Sequence, residues 1–284
     1  MHIIIGYIVV TFSIIVGYII AHGKLAVLNQ PAEFLIIGGA AIGSFIVSNP
    51  GYMLKQVVGT IPTLLKGRLY TKQSYLELLA LMYELFSRAR KEGLMALEPH
   101  VEDPHNSDLF SKYPAVAKNH AILDFIADYI RMIVGGNMNA FEIENLMDVE
   151  LEAHHHDTEK PGHALNQMGD ALPGFGIVAA ILGVIITMGY IDGTPEEIGG
   201  HIAAALVGSF LGILLAYGFV GPLGSAATHQ ADEEARFFSC AKMCILATLN
   251  GYSPQVAVEF GRKAIGHDVR PGFVELEDYV RGGG

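Results

Sequence analysis

The sequence predicts an all-α fold: a polytopic membrane protein with four transmembrane helices and a helical cytoplasmic domain. Of its 284 residues, 51% are hydrophobic and only 17% are charged, whereas about 25% of residues are charged in an average soluble domain. The apolar residues are concentrated in long stretches without charge. Elsewhere they recur every three or four positions, which is typical of amphipathic helices.

Four stretches lack Asp, Glu, Lys and Arg over lengths that suit a bilayer. They are residues 3–21, 34–54, 171–191 and 202–228, and each reaches or approaches the roughly 20 residues that cross a hydrocarbon core as a helix. The second is interrupted by Asn49-Pro50-Gly51. The first has no basic segment before it and no small-residue cleavage site after it, so we expect it to stay attached rather than act as a signal peptide.

The basic residues predict the orientation of these stretches. Of the 18 Lys and Arg residues, 17 lie in the loop 51–170 or after Pro222, and Lys24 lies on the other side. Because Lys and Arg near membrane ends are retained in the cytoplasm, both termini are predicted to be cytoplasmic. The resulting domains are residues 1–54 (transmembrane helices 1 and 2), 55–170 (cytoplasmic helical loop), 171–228 (transmembrane helices 3 and 4) and 229–284 (cytoplasmic helical tail).

The cytoplasmic segments predict helices with one apolar face. Such faces are formed by Tyr75, Leu78, Leu79, Met82, Leu85 and Phe86, and by Ile122, Phe125, Ile126, Tyr129, Ile130 and Ile133. The second helix is expected to end at Gly135-Gly136, and further helices are predicted at 141–152 and at about 226–249. Cys240 and Cys244, four residues apart on the last of these helices, exclude a disulfide scaffold. The formal charge of −11 excludes nucleic acid as a partner.

The apolar stretches contain no acidic or basic residue, and we expect Glu33 and Asp170 to lie at their edges in reach of water. A charge inside a bilayer is costly and usually marks an ion path, so a carboxylate for ion transport has to come from a partner chain. Small and hydroxyl-bearing residues line the third and fourth stretches instead. The candidates for an ion pathway and partner-facing surface are Gly176, Ala180, Thr187, Ser209, Gly212 and Tyr217. Small residues let helices approach closely, so helix packing alone is the simpler interpretation of each glycine.

Two prolines, Pro173 and Pro222, bracket the third and fourth stretches on the cytoplasmic side. Proline lacks an N–H and clashes with the preceding turn, so it starts, ends or kinks a helix. One interpretation makes Pro173 a helix start and Pro222 a terminator. The other makes them hinges that transmit motion between membrane and cytosol, and the sequence supports both equally.

The run His154-His155-His156 suggests a metal site, but consecutive residues of a helix point about 100° apart and do not converge on one ion. Since acidic residues surround the run, we interpret it as a solvated helix face and predict no metal site. No nucleotide-binding loop, nucleophile elbow or zinc-protease motif is present. The sequence therefore indicates neither an enzyme nor a bound cofactor.

Several stretches together resemble the MotA family, the ion-channel subunits of bacterial flagellar stators, and they cover most of the chain in the family's order. The stretches are QPAEFLIIGGAAIGSFIV (Gln30 to Val47), LLALMYELFSRARKEGLMALE (Leu78 to Glu98), LDFIADYIRMIVGGNMNAFEIENLMDVELE (Leu123 to Glu152), GDALPGFGIVAAILGVI (Gly169 to Ile185), ALVGSFLGILLAYGFVGPL (Ala205 to Leu223) and NGYSPQVAVEFGRK (Asn250 to Lys263).

The resemblance implies a pentameric ring of this chain in the bacterial inner membrane, in contact with lipid. The ring would surround a pair of MotB-like single-span subunits, whose aspartate binds the permeating ion, and would turn around them to push the rotor protein FliG. By motif match, Arg90 and Glu98 face FliG, and Pro173 and Pro222 couple conformational changes. Arg90 and Glu98 are eight residues apart, so they would share one helix face if that helix continued through Gly93.

Two alternatives remain open: an ExbB/TolQ-type energy-transducing proton channel, although that family has fewer spans, and a membrane scaffold that conducts no ions. The ion is predicted to be the proton, because sodium-driven relatives of the MotA family resemble one another in carrying threonine at the positions of both Ala180 and Ser209. Here Ser209 has a hydroxyl and Ala180 has none. The terminal Gly282-Gly283-Gly284 run matches no feature of the family.

Overall fold

The computed structural model describes residues 2–136 and 138–282, which form helices and no strand. Gly283 and Gly284 of the terminal glycine run lie outside the described residues. The described α-helices are, in chain order, α1 (His2–Ile20), α2 (Leu25–Leu28), α3 (Pro31–Ser48), α4 (Gly51–Lys66), α5 (Lys72–Glu92), α6 (Glu98–Glu102), α7 (Asp108–Ser111), α8 (Pro114–Ala117), α9 (His120–Gly135), α10 (Ala140–Met188), α11 (Pro195–Leu214), α12 (Gly221–Leu249), α13 (Pro254–Ala264) and α14 (Phe273–Arg281). Two 3₁₀-helices (Leu94–Leu97 and Pro104–Asn106) and a π-helix (Leu215–Val220) lie between them.

The chain divides into two compact units, and the first, residues 1–67 and 158–230, is called the membrane unit below. Four helical segments of the described chain are long and apolar enough to cross a membrane: His2–Ile20, Leu25–Ser48, Ala140–Met188 and Pro195–Leu249. The prediction of an all-α protein with four transmembrane helices is thus confirmed. The buried side chains of the membrane unit come from α3, α4, α10, α11, the π-helix and α12, and they include Ile37, Ala41, Met53, Val57, Leu172, Ala179, Val207 and Leu211.

The helices that carry the third and fourth stretches are longer than the sequence suggested. The helix predicted at 141–152 and the third transmembrane stretch form one 49-residue helix, α10, with Pro161 and Pro173 in its interior. The fourth stretch and the helix predicted at about 226–249 are continuous through α11, the π-helix and α12. Pro173 therefore does not start a helix and Pro222 does not end one. The predicted domain limits at 170 and 228 fall inside these helices.

The second unit, residues 68–157 and 231–284, is called the extramembrane unit. Its core contains both apolar faces that the periodicity predicted: the first is fully buried from Tyr75 to Phe86, and the second is buried from Ile122 to Ile130, with Ile133 half-buried. Cys240 and Cys244 are buried, unpaired thiols in the same core. The hydroxyl of Tyr129 donates to Glu150 Oε2 at 2.7 Å. Burial and this carboxylate raise the pKa of Tyr129 above its ordinary value, so its hydroxyl remains a donor.

Local sequence explains where the extramembrane helices begin and end. Thr71 accepts a hydrogen bond from the Ser74 amide and closes a capping box at the start of α5. The Asn119 side chain caps α9 by accepting a hydrogen bond from the Ile122 amide. Such caps satisfy amides that have no partner within the helix. Gly136 ends α9 with φ of +68°, and Gly93 follows α5 with φ of +88°. Left-handed backbone of this kind suits glycine because it has no Cβ.

Candidate functional site

Within the membrane unit, α10 and α11 cross at glycines. A Cβ at position 212 would lie 2.7 Å from the carbonyl oxygen of Leu172 and 2.8 Å from Cα of Gly176. A Cβ on Gly176 would in turn lie 3.0 Å from the carbonyl oxygen of Gly208 and 3.4 Å from Cα of Ser209. Because these neighbours are backbone atoms, the crossing leaves no room for a side chain at Gly176 or Gly212. The helix-packing interpretation of these two glycines agrees with this geometry.

The remaining candidates for the ion pathway differ in their exposure. Ala180 and Ser209 are half-buried beside the crossing, and a Cβ at position 208 would lie 3.3 Å from the Ala180 amide nitrogen. Thr187 is buried, with 6% of its surface exposed, and its hydroxyl donates to the carbonyl of Gly183 at 2.8 Å. Tyr217, in the π-helix, is 70% exposed. Ala180 therefore lies next to Gly208, the residue that precedes Ser209, while Thr187 and Tyr217 have separate surroundings.

The position expected for Glu33 was wrong. We expected this residue at a water-accessible edge, but it lies in the first turn of α3 with only 7% of its surface exposed. Its Oε2 atom has no hydrogen-bond partner among the described residues. A Cβ on Gly208 would lie 2.6 Å from this oxygen, so the carboxylate occupies the space beside Gly208. Sequence reasoning missed Glu33 because the second uncharged stretch starts after it, whereas the second candidate span extends from Leu25 to Ser48.

The two prolines flank a close approach between α10 and α12. A Cβ on Gly169 would lie 3.3 Å from the amide nitrogen of Gly221. Pro173 cannot donate to the carbonyl of Gly169, four residues before it, and Pro222 directly follows Gly221. The π-helix that precedes Gly221 widens the backbone at the same point, and such segments are frequent at functional sites. The sequence could not reveal that both prolines border one contact.

The π-helix is also contacted by α1. The hydroxyl of Tyr7 donates to the carbonyl oxygen of Phe219 at 2.9 Å, and the two rings are 5.0 Å apart between centroids. This side-chain donor from another helix helps to hold the widened segment. Tyr7 thus joins α1 to the part of the membrane unit that contains Pro222.

Arg90 and Glu98 do not share one helix, so the shared face that required a helix continuing through Gly93 does not form. Arg90 lies in the last turn of α5, which ends at Glu92, and Glu98 begins α6 after the positive φ of Gly93 and a 3₁₀-helix. Both side chains are exposed, and neither forms an ion pair among the residues that the structure describes. Leu97, which lies between them, and Val101, which follows Glu98 in α6, are both buried and hold this part of the chain in place.

Polar contacts around this segment fix it further. Arg131 of α9 donates to the carbonyl of Val101 and lies 3.4 Å from Glu102 Oε1. Arg88 and His100 are in contact through Nη1 and Nε2, and His100 Nδ1 lies 2.9 Å from the Ser107 hydroxyl. Arg90 and Glu98 are therefore two exposed charges of opposite sign that form no ion pair among the described residues. They lie at the two ends of a segment that these contacts hold in place.

The histidine run is only partly a solvated face. His156 is exposed, but His154 and His155 are half-buried. The Nε2 atom of His154 lies 3.0 Å from Glu234 Oε1, and its ring packs on Phe238 with centroids 4.6 Å apart. The expectation of a fully solvated run was therefore wrong for His154, since one face of this part of α10 packs on α12 within the extramembrane unit.

Comparison with known proteins places this chain among channel subunits. Residues 4–93 match the motility protein A N-terminal domain, and residues 117–239 match the MotA/TolQ/ExbB proton channel family. Motility protein A of Salmonella typhimurium is 47% identical to this chain over 281 residues. The alignment covers 99% of this chain and 95% of that protein.

Two solved structures are similar over nearly the full chain. The structure of C. jejuni MotAB has a TM-score of 0.79 at 20% identity and covers 94% of this chain and 96% of that chain. The flagellar MotAB stator complex from Bacillus subtilis has a TM-score of 0.73 at 26% identity, with 90% and 92% covered. The similarity thus extends over both units and all four membrane helices, and the chain belongs to the motility protein A family.

Proposed function

We propose that this protein is the ion-channel subunit of a bacterial flagellar stator, in which proton flow through a complex with a MotB-like partner produces torque on the rotor. The observation that carries the proposal is the glycine crossing of α10 and α11, with Ala180 and Ser209 beside it, in a chain of the motility protein A family. Small residues let α10 and α11 approach closely there, and the half-buried Ala180 and Ser209 beside the crossing are available to a partner helix. The partner would contribute the aspartate that binds the permeating ion.

The free charges of the extramembrane unit support the second half of the proposal. Arg90 and Glu98 are exposed and unpaired among the described residues, on a segment that buried residues hold in place. Charges at the rim of an interface steer and register a partner. We assign them to contact with FliG, and Pro173 and Pro222 to the coupling of movement between the membrane and this contact.

The assembly and orientation follow from the same proposal. The chain forms a ring, a pentamer, in the bacterial inner membrane, with lipid around it and both termini in the cytoplasm. Residues 1–54 and 171–228 supply the transmembrane helices, residues 55–170 the rotor-facing loop, and residues 229–284 the cytoplasmic tail. The excess of basic residues in the loop and tail supports this orientation.

An ExbB/TolQ-type energiser is less consistent with the chain. That family shares the MotA/TolQ/ExbB domain matched by residues 117–239, but residues 4–93 match a domain of motility protein A. These residues contain α1 and α3, two of the four candidate membrane helices of this chain, whereas an energiser has three spans in all.

We expect the chain alone to conduct no ions, because the glycine crossing is closed by backbone contact and the partner's carboxylate is missing. In proteoliposomes, proton or sodium flux from this protein alone should equal that of empty liposomes. Co-reconstitution with a MotB-like partner should give flux. Sustained flux from this chain alone would refute the need for a partner, and absence of flux from the complex would favour a non-conducting scaffold.

We expect proton drive rather than sodium drive. Sodium needs several oxygen ligands to replace its water shell, and Ala180 offers no side-chain oxygen to add to the Ser209 hydroxyl. Under-coordination would cost several kcal/mol. Single-motor rotation should continue when sodium is removed at constant pH. Arrest that reverses when sodium is restored would overturn the assignment, and an Ala180→Thr variant provides a matched comparison.

A further inference from the structure

Glu33 is a carboxylate in an apolar part of the membrane unit. Its side chain is 93% buried and Oε2 has no hydrogen-bond partner among the described residues. It lies beside Gly208, which is six residues inside the uncharged stretch that begins at Ile202. At about 1.5 Å per residue, this places the carboxylate about 9 Å along that stretch.

No charge compensates Glu33 in the described structure. The elements packed around it are α2, α10 and α11, and their apolar parts carry no acidic or basic residue. The ionisable side chains nearest along these elements are Lys24, Asp170, Asp192, Glu196, Glu197 and His201, and among the described residues none forms an ion pair with Glu33 within 4.0 Å. An isolated ionised carboxylate in such surroundings is strongly disfavoured. The geometry therefore favours the neutral, protonated form of Glu33 at rest.

The carboxylate also touches the candidate ion pathway. The space that it occupies is the one that a Cβ on Gly208 would fill, at 2.6 Å from Oε2. The same Cβ would lie 3.1 Å from Ala179 Cβ and 3.3 Å from the Ala180 amide nitrogen. Because residue 208 is glycine, the Glu33 carboxylate can lie at the interface between α10 and α11, next to Ser209.

We propose that Glu33 is a proton-binding site of the membrane unit and takes part in proton transfer through the complex, which rests on the proposed function. A hydronium ion transfers its proton to the carboxylate, leaving water and the neutral acid. On release the O–H bond breaks, and the proton passes to a water molecule beside Ala180. Glycine at position 208 makes room for this exchange.

Carbodiimide labelling tests the proton-bound state independently of flux. Dicyclohexylcarbodiimide adds to protonated carboxyl groups in apolar surroundings, and the complex with its partner in liposomes is treated with it at pH 7. Peptide mass spectrometry should find Glu33 labelled at least fivefold more than the exposed Glu196. Equal labelling of the two residues would overturn the proposal, whatever the complex conducts.

Flux measurements on variants separate a proton-binding role from a packing role. Glu33→Gln keeps the shape of the side chain but cannot bind and release a proton, whereas Glu33→Asp keeps the acid and shortens it. We expect Glu33→Gln to lower proton flux at least tenfold, Glu33→Asp to retain more flux than Glu33→Gln, and the control Glu196→Gln to stay within twofold of the unchanged complex. The reverse order of the two Glu33 variants, or unchanged flux in Glu33→Gln, would overturn the proposal. Absence of flux from the unchanged complex would instead contradict the proposed function, and labelling would still decide the state of Glu33.

Discussion

Gly212→Ala is expected to destabilise the membrane unit by about 1–3 kcal/mol, the usual cost of an added methyl group in a packed interior. The new Cβ would meet the carbonyl oxygen of Leu172 at 2.7 Å and Cα of Gly176 at 2.8 Å. Since both are backbone atoms of α10, no side chain can rotate to make room, and the two helices have to separate. The measurement is the thermal midpoint of the purified protein in detergent, together with copurification of the MotB-like partner.

Gly174→Ala is the matched control for this prediction. Gly174 lies in α10, two residues from Gly176, but a Cβ there would meet nothing within 4 Å. Alanine has a higher helix propensity than glycine by about 1 kcal/mol, so this variant should be as stable as the unchanged protein or more stable. If Gly212→Ala lowers the thermal midpoint no more than Gly174→Ala does, the close approach of α10 and α11 does not contribute to the stability of the membrane unit.

Arg90→Glu is expected to reduce swimming speed roughly tenfold or more while the protein still inserts and binds its partner. Exposed surface substitutions usually change stability by less than about 0.5 kcal/mol, and loss of a cation from the last turn of α5 adds a similar small cost. The large effect would come from reversing a charge that registers the rotor contact. Glu98→Lys should act in the same way, because its side chain is equally free of ion pairs among the described residues.

Two controls make this prediction specific. Lys118→Glu reverses another exposed charge of the extramembrane unit and should leave swimming nearly unchanged. A matching charge reversal on FliG should partly restore motility in Arg90→Glu. Loss of partner copurification in Arg90→Glu would instead show that Arg90 supports folding.

Much of the architecture was predictable because the hydrophobicity of a segment depends only on its own residues. The four uncharged stretches and the apolar faces of α5 and α9 could be read from composition and period, since a helix in lipid must be apolar throughout and a packed helix must be apolar on one side. The end of α9 at Gly136 was predictable for the same reason. A left-handed helix end favours glycine at a single position, and the sequence shows that glycine directly.

Helix continuity was less predictable. Pro173 and Pro222 are valid helix starts and ends by local chemistry, yet α10 continues through Pro173, and the segment from α11 to α12 continues through a π-helix. Near these prolines the two helices pack closely, with Gly169 against Gly221. Conversely, Gly93 interrupts the helix that would have aligned Arg90 with Glu98, which a periodicity argument across that glycine could not decide.

The sequence by itself determined which segments are apolar enough for a bilayer, which faces are buried and which residues are small, since each of these depends on local composition. Only the tertiary structure decided which glycines meet, and that Glu33 is buried beside Gly208. The physical reason is that a close approach or a buried charge depends on two segments far apart in the chain. Glu33 and Gly208 are 175 positions apart, and only the packing of α3 on α11 brings them together.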